Sequence, residues 1–213
     1  MKREQIRFLL FTLAVAMGAG CGGGGPVSGL RNDDPGANDV EVVVAFGDSI
    51  TRGTECECAP YPRRLTPMIS KSVLNTGVAA SRATDSIDRT QEAIDKYHPG
   101  FMLILYGIND VIHGAEIGKI TGALADMVAI CEDNQVVPVL ATYPEPILNY
   151  VSFAPRALQL NEAIRDLAGE LGVACVDLER EFAANPEFYE EEDGLHPNDA
   201  GTQIIALAFA DLF

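Results

Sequence analysis

One stretch constrains the fold more than any other: residues 41–53, EVVVAFGDSITRG. Val42, Val43, Val44 and Phe46 make a short, β-branched apolar run with little alternation, the pattern of a strand covered on both faces. The run breaks at Gly47-Asp48-Ser49 and leaves a hydroxyl at the strand's carboxyl end. In open α/β sheets ligands bind along that edge, so Ser49 is placed for chemistry. Taken alone, the tripeptide reads equally well as an Asx or Ser turn that closes a strand.

The rest of the chain repeats the strand-then-helix alternation. Further strand-like runs lie at 73–76, 101–106, 136–141 and 173–178. Helical spacing is expected over 61–72 and 82–97, and from Ile117 through Ile120, Leu124 and Met127 to Cys131. It recurs at Leu160, Ile164, Leu167 and Leu171, closed by Gly172. Pro197 is expected to open a last helix, with Ile204, Leu207, Ala208 and Leu212 facing inward. This predicts an α/β fold, three layers deep (α/β/α), around a five-stranded, mostly parallel sheet. One domain over residues 40–213 holds it, with no internal repeat.

The start of the chain is of another kind. Lys2, Arg3 and Arg7 flank an apolar run over 8–19, followed by Gly20-Cys21. A basic start, a short apolar run and small residues at the end describe a secretory signal peptide, too short for a stable bilayer span. The small residues before Cys21 resemble the lipobox of bacterial lipoproteins, with Gly18 where that pattern carries leucine. The resemblance implies lipidation of Cys21 and a membrane tether; ordinary cleavage would leave a secreted protein. Residues 1–21 are thus a leader, and residues 22–39, glycine-rich and polar, a flexible linker of about 20–25 Å root-mean-square reach. The expected location is exported, periplasmic or at the cell surface.

The formal net charge is −16. Loss of residues 1–20 removes three cations (Lys2, Arg3, Arg7) and one anion (Glu4), taking it to −18. Such a surface repels nucleic acid, so no nucleic-acid partner is expected. Export permits disulfides. Cys131 and Cys175 fall on apparent core faces and are expected as buried thiols, whereas Cys56-Glu57-Cys58 lies in the loop after the serine. That spacing has too few partners for a redox or metal motif, so no metal and no cofactor are expected.

Four short blocks fall at strand ends or before the last helix: Gly47-Asp48-Ser49, Asn75-Thr76-Gly77, Gly107-Ile108-Asn109-Asp110 and Asp193-Gly194-Leu195-His196-Pro197. In this order the chain resembles the SGNH or GDSL hydrolase family of esterases and lipases, over about residues 40–213. The resemblance implies a flavodoxin-like SGNH hydrolase fold and a serine ester hydrolase that needs no cofactor. A serine hydroxyl is a poor nucleophile until a base takes its proton. His196 is the candidate base, since imidazole changes charge near neutral pH, and Asp193 would orient it and stabilise its cation. Attack on a carbonyl also creates an oxyanion that needs donors. The resemblance assigns that hole to the backbone N–H groups of Ser49 and Gly77 and the side-chain amide of Asn109.

A second Asp-x-x-His pair, Asp110 and His113, repeats the spacing at the same edge. The match through Asp-Gly-Leu-His-Pro favours Asp193 and His196, leaving His113 as a pocket or loop residue. His98 precedes a strand and lies at the wrong edge. Pocket walls are expected from residues 51–60, 81–84, 108–116 and 143–153. The expected partner is a small or acylated substrate, whether a lipid ester, a thioester or an acetylated sugar. Two further readings stand beside esterase action: a sugar O-acetylesterase or acetyltransferase with the same triad, and a surface-tethered binding lipoprotein without turnover.

Overall fold

The computed structural model describes residues 34–213. The expected leader, Cys21 and most of the linker lie outside the described residues. Of the linker's end, Asn38 donates its side-chain amide to the carbonyls of Asn134 and Gln135, at 2.8 and 2.9 Å, which seats the chain just before the first strand.

Five strands, β1 (Asp39–Gly47), β2 (Ser72–Asn75), β3 (Pro99–Leu105), β4 (Val137–Ala141) and β5 (Ala174–Val176), form one sheet in the order β2-β1-β3-β4-β5. Every pairing is parallel. A parallel sheet needs cover on both faces, and its central strands meet that need with unbroken apolar runs. Val43 to Phe46 in β1 and Met102 to Leu105 in β3 are essentially inaccessible to solvent. The order reverses at β1, whose two neighbours are reached by connections running opposite ways, and a ligand crevice is expected outside the carboxyl ends there.

The covering helices are α1 (Ser49–Arg52), α2 (Tyr61–Ile69), α3 (Ile87–Tyr97), α4 (Ile108–Ile112), α5 (Ile117–Asp133), α6 (Ala154–Leu171), α7 (Leu178–Phe182) and α8 (Asp199–Ala210). The stripe expected in α5 is the buried one: Ile120, Leu124, Met127 and Cys131 all face the core. Helix α6 closes at Gly172 in a left-handed conformation, as its glycine predicts.

Three local expectations are corrected. The last helix does not start at Pro197: Asn198 caps it, its side chain accepting from the Gly201 N–H at 3.0 Å, while Pro197 bridges to Tyr189. An Asx cap supplies an acceptor for an orphan amide, and that outweighs proline's preset φ. The expected face of α8 is corrected at Leu207, which is 48% exposed, whereas Ile204, Ala208 and Leu212 are partly buried against the core and Thr202, Ile205, Ala206 and Phe209 are the fully buried residues. Finally, the run at 173–178 is a strand only at Ala174–Val176; Asp177 then caps α7, accepting from the Arg180 N–H. Of the two expected buried thiols, Cys131 is inaccessible and Cys175 is half-buried.

Candidate active site

Ser49 is the first residue of α1, directly beyond β1. Asp48 caps that helix, its Oδ1 accepting from the Ile50 N–H at 3.0 Å. The turn thereby aims the Ser49 side chain outward from the sheet edge, and Oγ lies 3.0 Å from His196 Nε2. His196 Nδ1 lies 2.8 Å from Asp193 Oδ2. An ionised carboxylate only accepts, so Nδ1 carries the proton toward Asp193 and Nε2 is left to accept from the serine. Asp193 Oδ1 meanwhile accepts from the backbone N–H groups of Leu195, at 2.8 Å, and His196, at 3.2 Å. The acid is held by its own loop, so its second oxygen has one direction to point. The structure brings Ser49, His196 and Asp193 together in a hydrogen-bonded row from distant parts of the chain.

The rival pair does not assemble. Asp110 is fully buried, and its carboxylate accepts from the Ala83 N–H at 2.7 Å, the Thr84 N–H at 3.2 Å and the Thr84 hydroxyl at 2.8 Å. His113 instead places Nδ1 2.7 Å from the Asn109 carbonyl oxygen, at the exposed end of α4. Asp110 therefore seats the loop after β2. His98 ends α3 ahead of β3, at the opposite edge of the sheet.

Gly77 and Asn109 both stand beside the Asp48–Ser49 turn. A Cβ at position 77 would run into the Arg52 backbone nitrogen and the Asp48 carbonyl, so glycine is required for this approach. The Gly77 N–H donates to Asn75 Oδ1 at 3.0 Å. Asn109 Nδ2 donates to Asp48 Oδ2 at 3.2 Å and to the Ser81 carbonyl at 3.1 Å. An oxyanion would have to compete for these two donors. The Ser49 N–H, the first of its helix, has no intrahelical acceptor to lose.

Two residues beside the site make a buried contact that the sequence did not announce. Asp48 is fully buried, and desolvation pushes its carboxyl up to about 6, against the lowering effect of its bonds from Tyr143 and Ile50. Tyr143 was expected in the pocket wall, but it is buried beneath the site and donates its hydroxyl to Asp48 Oδ2 at 2.8 Å. Burial and the nearby Asp48 charge raise its phenol well above the usual range, so it remains a donor. The loop it opens carries exposed apolar groups instead at Leu148 and Val151, 49% and 58% accessible. Both lie in a 3-10 turn over Leu148–Phe153, where residues three apart eclipse, so they form one ridge. Cys56 and Cys58 are joined as a disulfide in the loop after α1. Among the described residues no group of three or more His, Cys, Asp or Glu is arranged to hold a metal.

The parallel α/β sheet thus carries Ser49, His196 and Asp193 in one hydrogen-bonded row at the carboxyl edge of its first strand. The GDSL-like lipase/acylhydrolase family matches residues 45–204, and the chain belongs to it. A GDSL-like lipase from Bacteroides thetaiotaomicron VPI-5482 shares the fold with a TM-score of 0.67 and 18% identity, over 79% of this chain and 85% of that one. An acetylxylan esterase from Geobacillus stearothermophilus, Axe2, does so with a TM-score of 0.67 and 20% identity, over 81% and 93%. In sequence, an uncharacterised lipoprotein of Bacillus subtilis strain 168, YqeF, is 28% identical over 111 residues. That match takes in 48% of this chain but 40% of the relative's length, so the chain spans less than half of it. None of the described helices is long and apolar enough to cross a membrane.

Proposed function

We propose that the protein hydrolyses carboxylic esters through an acyl-serine intermediate. The observation that carries this reading is the continuous row from Ser49 Oγ through His196 to Asp193, at 3.0 and 2.8 Å. As Oγ attacks the ester carbonyl carbon, its proton passes to Nε2, and Asp193 stabilises the imidazolium. The Ser49 and Gly77 N–H groups and the Asn109 amide donate to the oxygen that gains the negative charge. Collapse breaks the carbon–oxygen bond to the leaving alcohol, which takes the proton from Nε2. Water then attacks the acyl carbon and gives a proton to Nε2; the carbon–Oγ bond breaks, Nε2 returns that proton to Oγ, and the acid leaves with the serine restored.

The ridge of Leu148 and Val151 lies close to this row. Ile147 donates its N–H to the Gly194 carbonyl at 2.8 Å, within the loop that carries Asp193 and His196. This supports an apolar acyl group or alcohol against the ridge. The fold likeness to an acetylxylan esterase supports a second reading, an acetyl-sized group on a sugar. A p-nitrophenyl ester series from acetate to decanoate, run beside Ser49→Ala, tests both. A kcat/KM that rises with chain length supports the apolar reading, a sharp acetate optimum the sugar-ester reading, and turnover unchanged in Ser49→Ala removes both. Absence of turnover on every ester would favour the binding lipoprotein.

We further propose that the protein is exported through residues 1–20 and tethered through a lipid on Cys21. Membrane fractionation tests it, with Cys21→Ser expected to release the protein and a wild type found wholly soluble after export contradicting the anchor.

A further inference from the structure

Asp48 has no assigned part in the chemistry above, yet its position is costly. A buried carboxylate loses hydration worth several kcal/mol unless its oxygens are well met. Here both oxygens are engaged. Oδ1 takes the Ile50 N–H, while Oδ2 takes both the Tyr143 hydroxyl, at 2.8 Å, and the Asn109 Nδ2 group, at 3.2 Å. Capping α1 accounts for the first oxygen only. The second joins a fully buried phenol to the side chain expected to serve the oxyanion.

Tyr143 is itself a fixed point. Asn161, fully buried in α6, accepts from the Tyr143 N–H and donates to its carbonyl, each at 2.8 Å. A ring clamped at its backbone and packed in the core can direct its hydroxyl to one place only. The line therefore runs from α6 through Tyr143 and Asp48 to the Asn109 amide, next to the nucleophile.

We infer that Asp48 and Tyr143 are positioning residues that hold the Asn109 amide with its hydrogens turned toward the Ser49 side of the site. The inference rests on the ester-hydrolase reading. One Nδ2 hydrogen stays on Asp48 as a pivot, and the other exchanges the Ser81 carbonyl for the oxyanion. A carboxamide can rotate to present its oxygen instead, and an oxygen facing the oxyanion would repel it. An acceptor-only carboxylate at the pivot rules out that orientation, and the tyrosine fixes the carboxylate.

The test is a double-mutant cycle on steady-state ester hydrolysis, with Ser49→Ala as the background control and thermal unfolding of each variant recorded. Tyr143→Phe should lower kcat about tenfold through misplacement of the donor, leaving KM within about twofold. In the Asn109→Ala background the same substitution should cost less than about twofold, because the group it positions is gone. Asp48→Asn repeats the cycle from the other end of the bond should Tyr143→Phe not fold, with the same non-additivity expected. Equal losses in both backgrounds, following the melting temperature, would mean a structural brace only and overturn the inference while leaving the esterase reading intact. Absence of Ser49-dependent hydrolysis in the wild type would overturn both.

Discussion

Ile147 gives its amide hydrogen to the Gly194 carbonyl at 2.8 Å, locking the loop after β4 onto the loop that carries Asp193 and His196. Gly194 adopts φ +81°, and a Cβ there would strike the Ile147 carbonyl and the Leu148 side chain. The glycine thus sets how the loop carrying Asp193 and His196 lies. Gly194→Ala should lower kcat by at least about tenfold through displacement of His196 from Ser49. Circular dichroism should still report a folded protein, and kcat within error of wild type would contradict the coupling.

The two histidines at the site edge separate cleanly by substitution. His196→Ala should fall to within about tenfold of the activity left in Ser49→Ala, because members of such a row act as one unit. His113→Ala should retain turnover, with any change confined to KM. Near wild-type kcat in His196→Ala, with loss in His113→Ala, would hand the base to the other pair.

Asp110 should behave as a structural residue. Asp110→Ala leaves the Ala83 and Thr84 donors without their acceptor and should cost about 2–4 kcal/mol in denaturant unfolding, from one or two unmet buried groups. A neutral effect on stability would mean that the loop after β2 is held by other contacts.

The buried Asp48 carboxyl makes stability depend on pH in a stated direction. Desolvation by burial is the leading cause that pushes it up to about 6 in the folded protein, above the ordinary aspartate range. The folded state therefore holds this proton more tightly, and its contribution to stability grows as pH falls through about 6 toward the unfolded value. Relative to wild type, Asp48→Asn should be more destabilised at pH 5 than at pH 7.5, by about 1 kcal/mol. A difference of the opposite sign would mean that the folded protein holds the carboxylate ionised.

The sheet was legible because buried parallel strands write unbroken apolar runs. Ser49, Asp193 and His196 were expected from the resemblance of four short blocks, taken in order, to a known family, since no single block is specific by itself. The contact between Tyr143 and Asp48 spans 95 positions and has no local signature, so the tyrosine read as part of a pocket wall. A buried Asn161 binding a backbone from 18 positions away is equally silent. Leu207 of α8 was misplaced for another reason. The helix's sequence from Ile204 to Ala210 is apolar throughout, so tertiary packing alone decides that Leu207 faces outward.

If Ser49 is a nucleophile activated by His196, a fluorophosphonate probe followed by peptide mass spectrometry will find it. The probe's phosphorus should be found on Ser49 with loss of fluoride, at a rate that falls sharply in His196→Ala, and no adduct should form in Ser49→Ala. An adduct on another residue, or labelling that persists undiminished in Ser49→Ala, would mean that Ser49 is not the nucleophile.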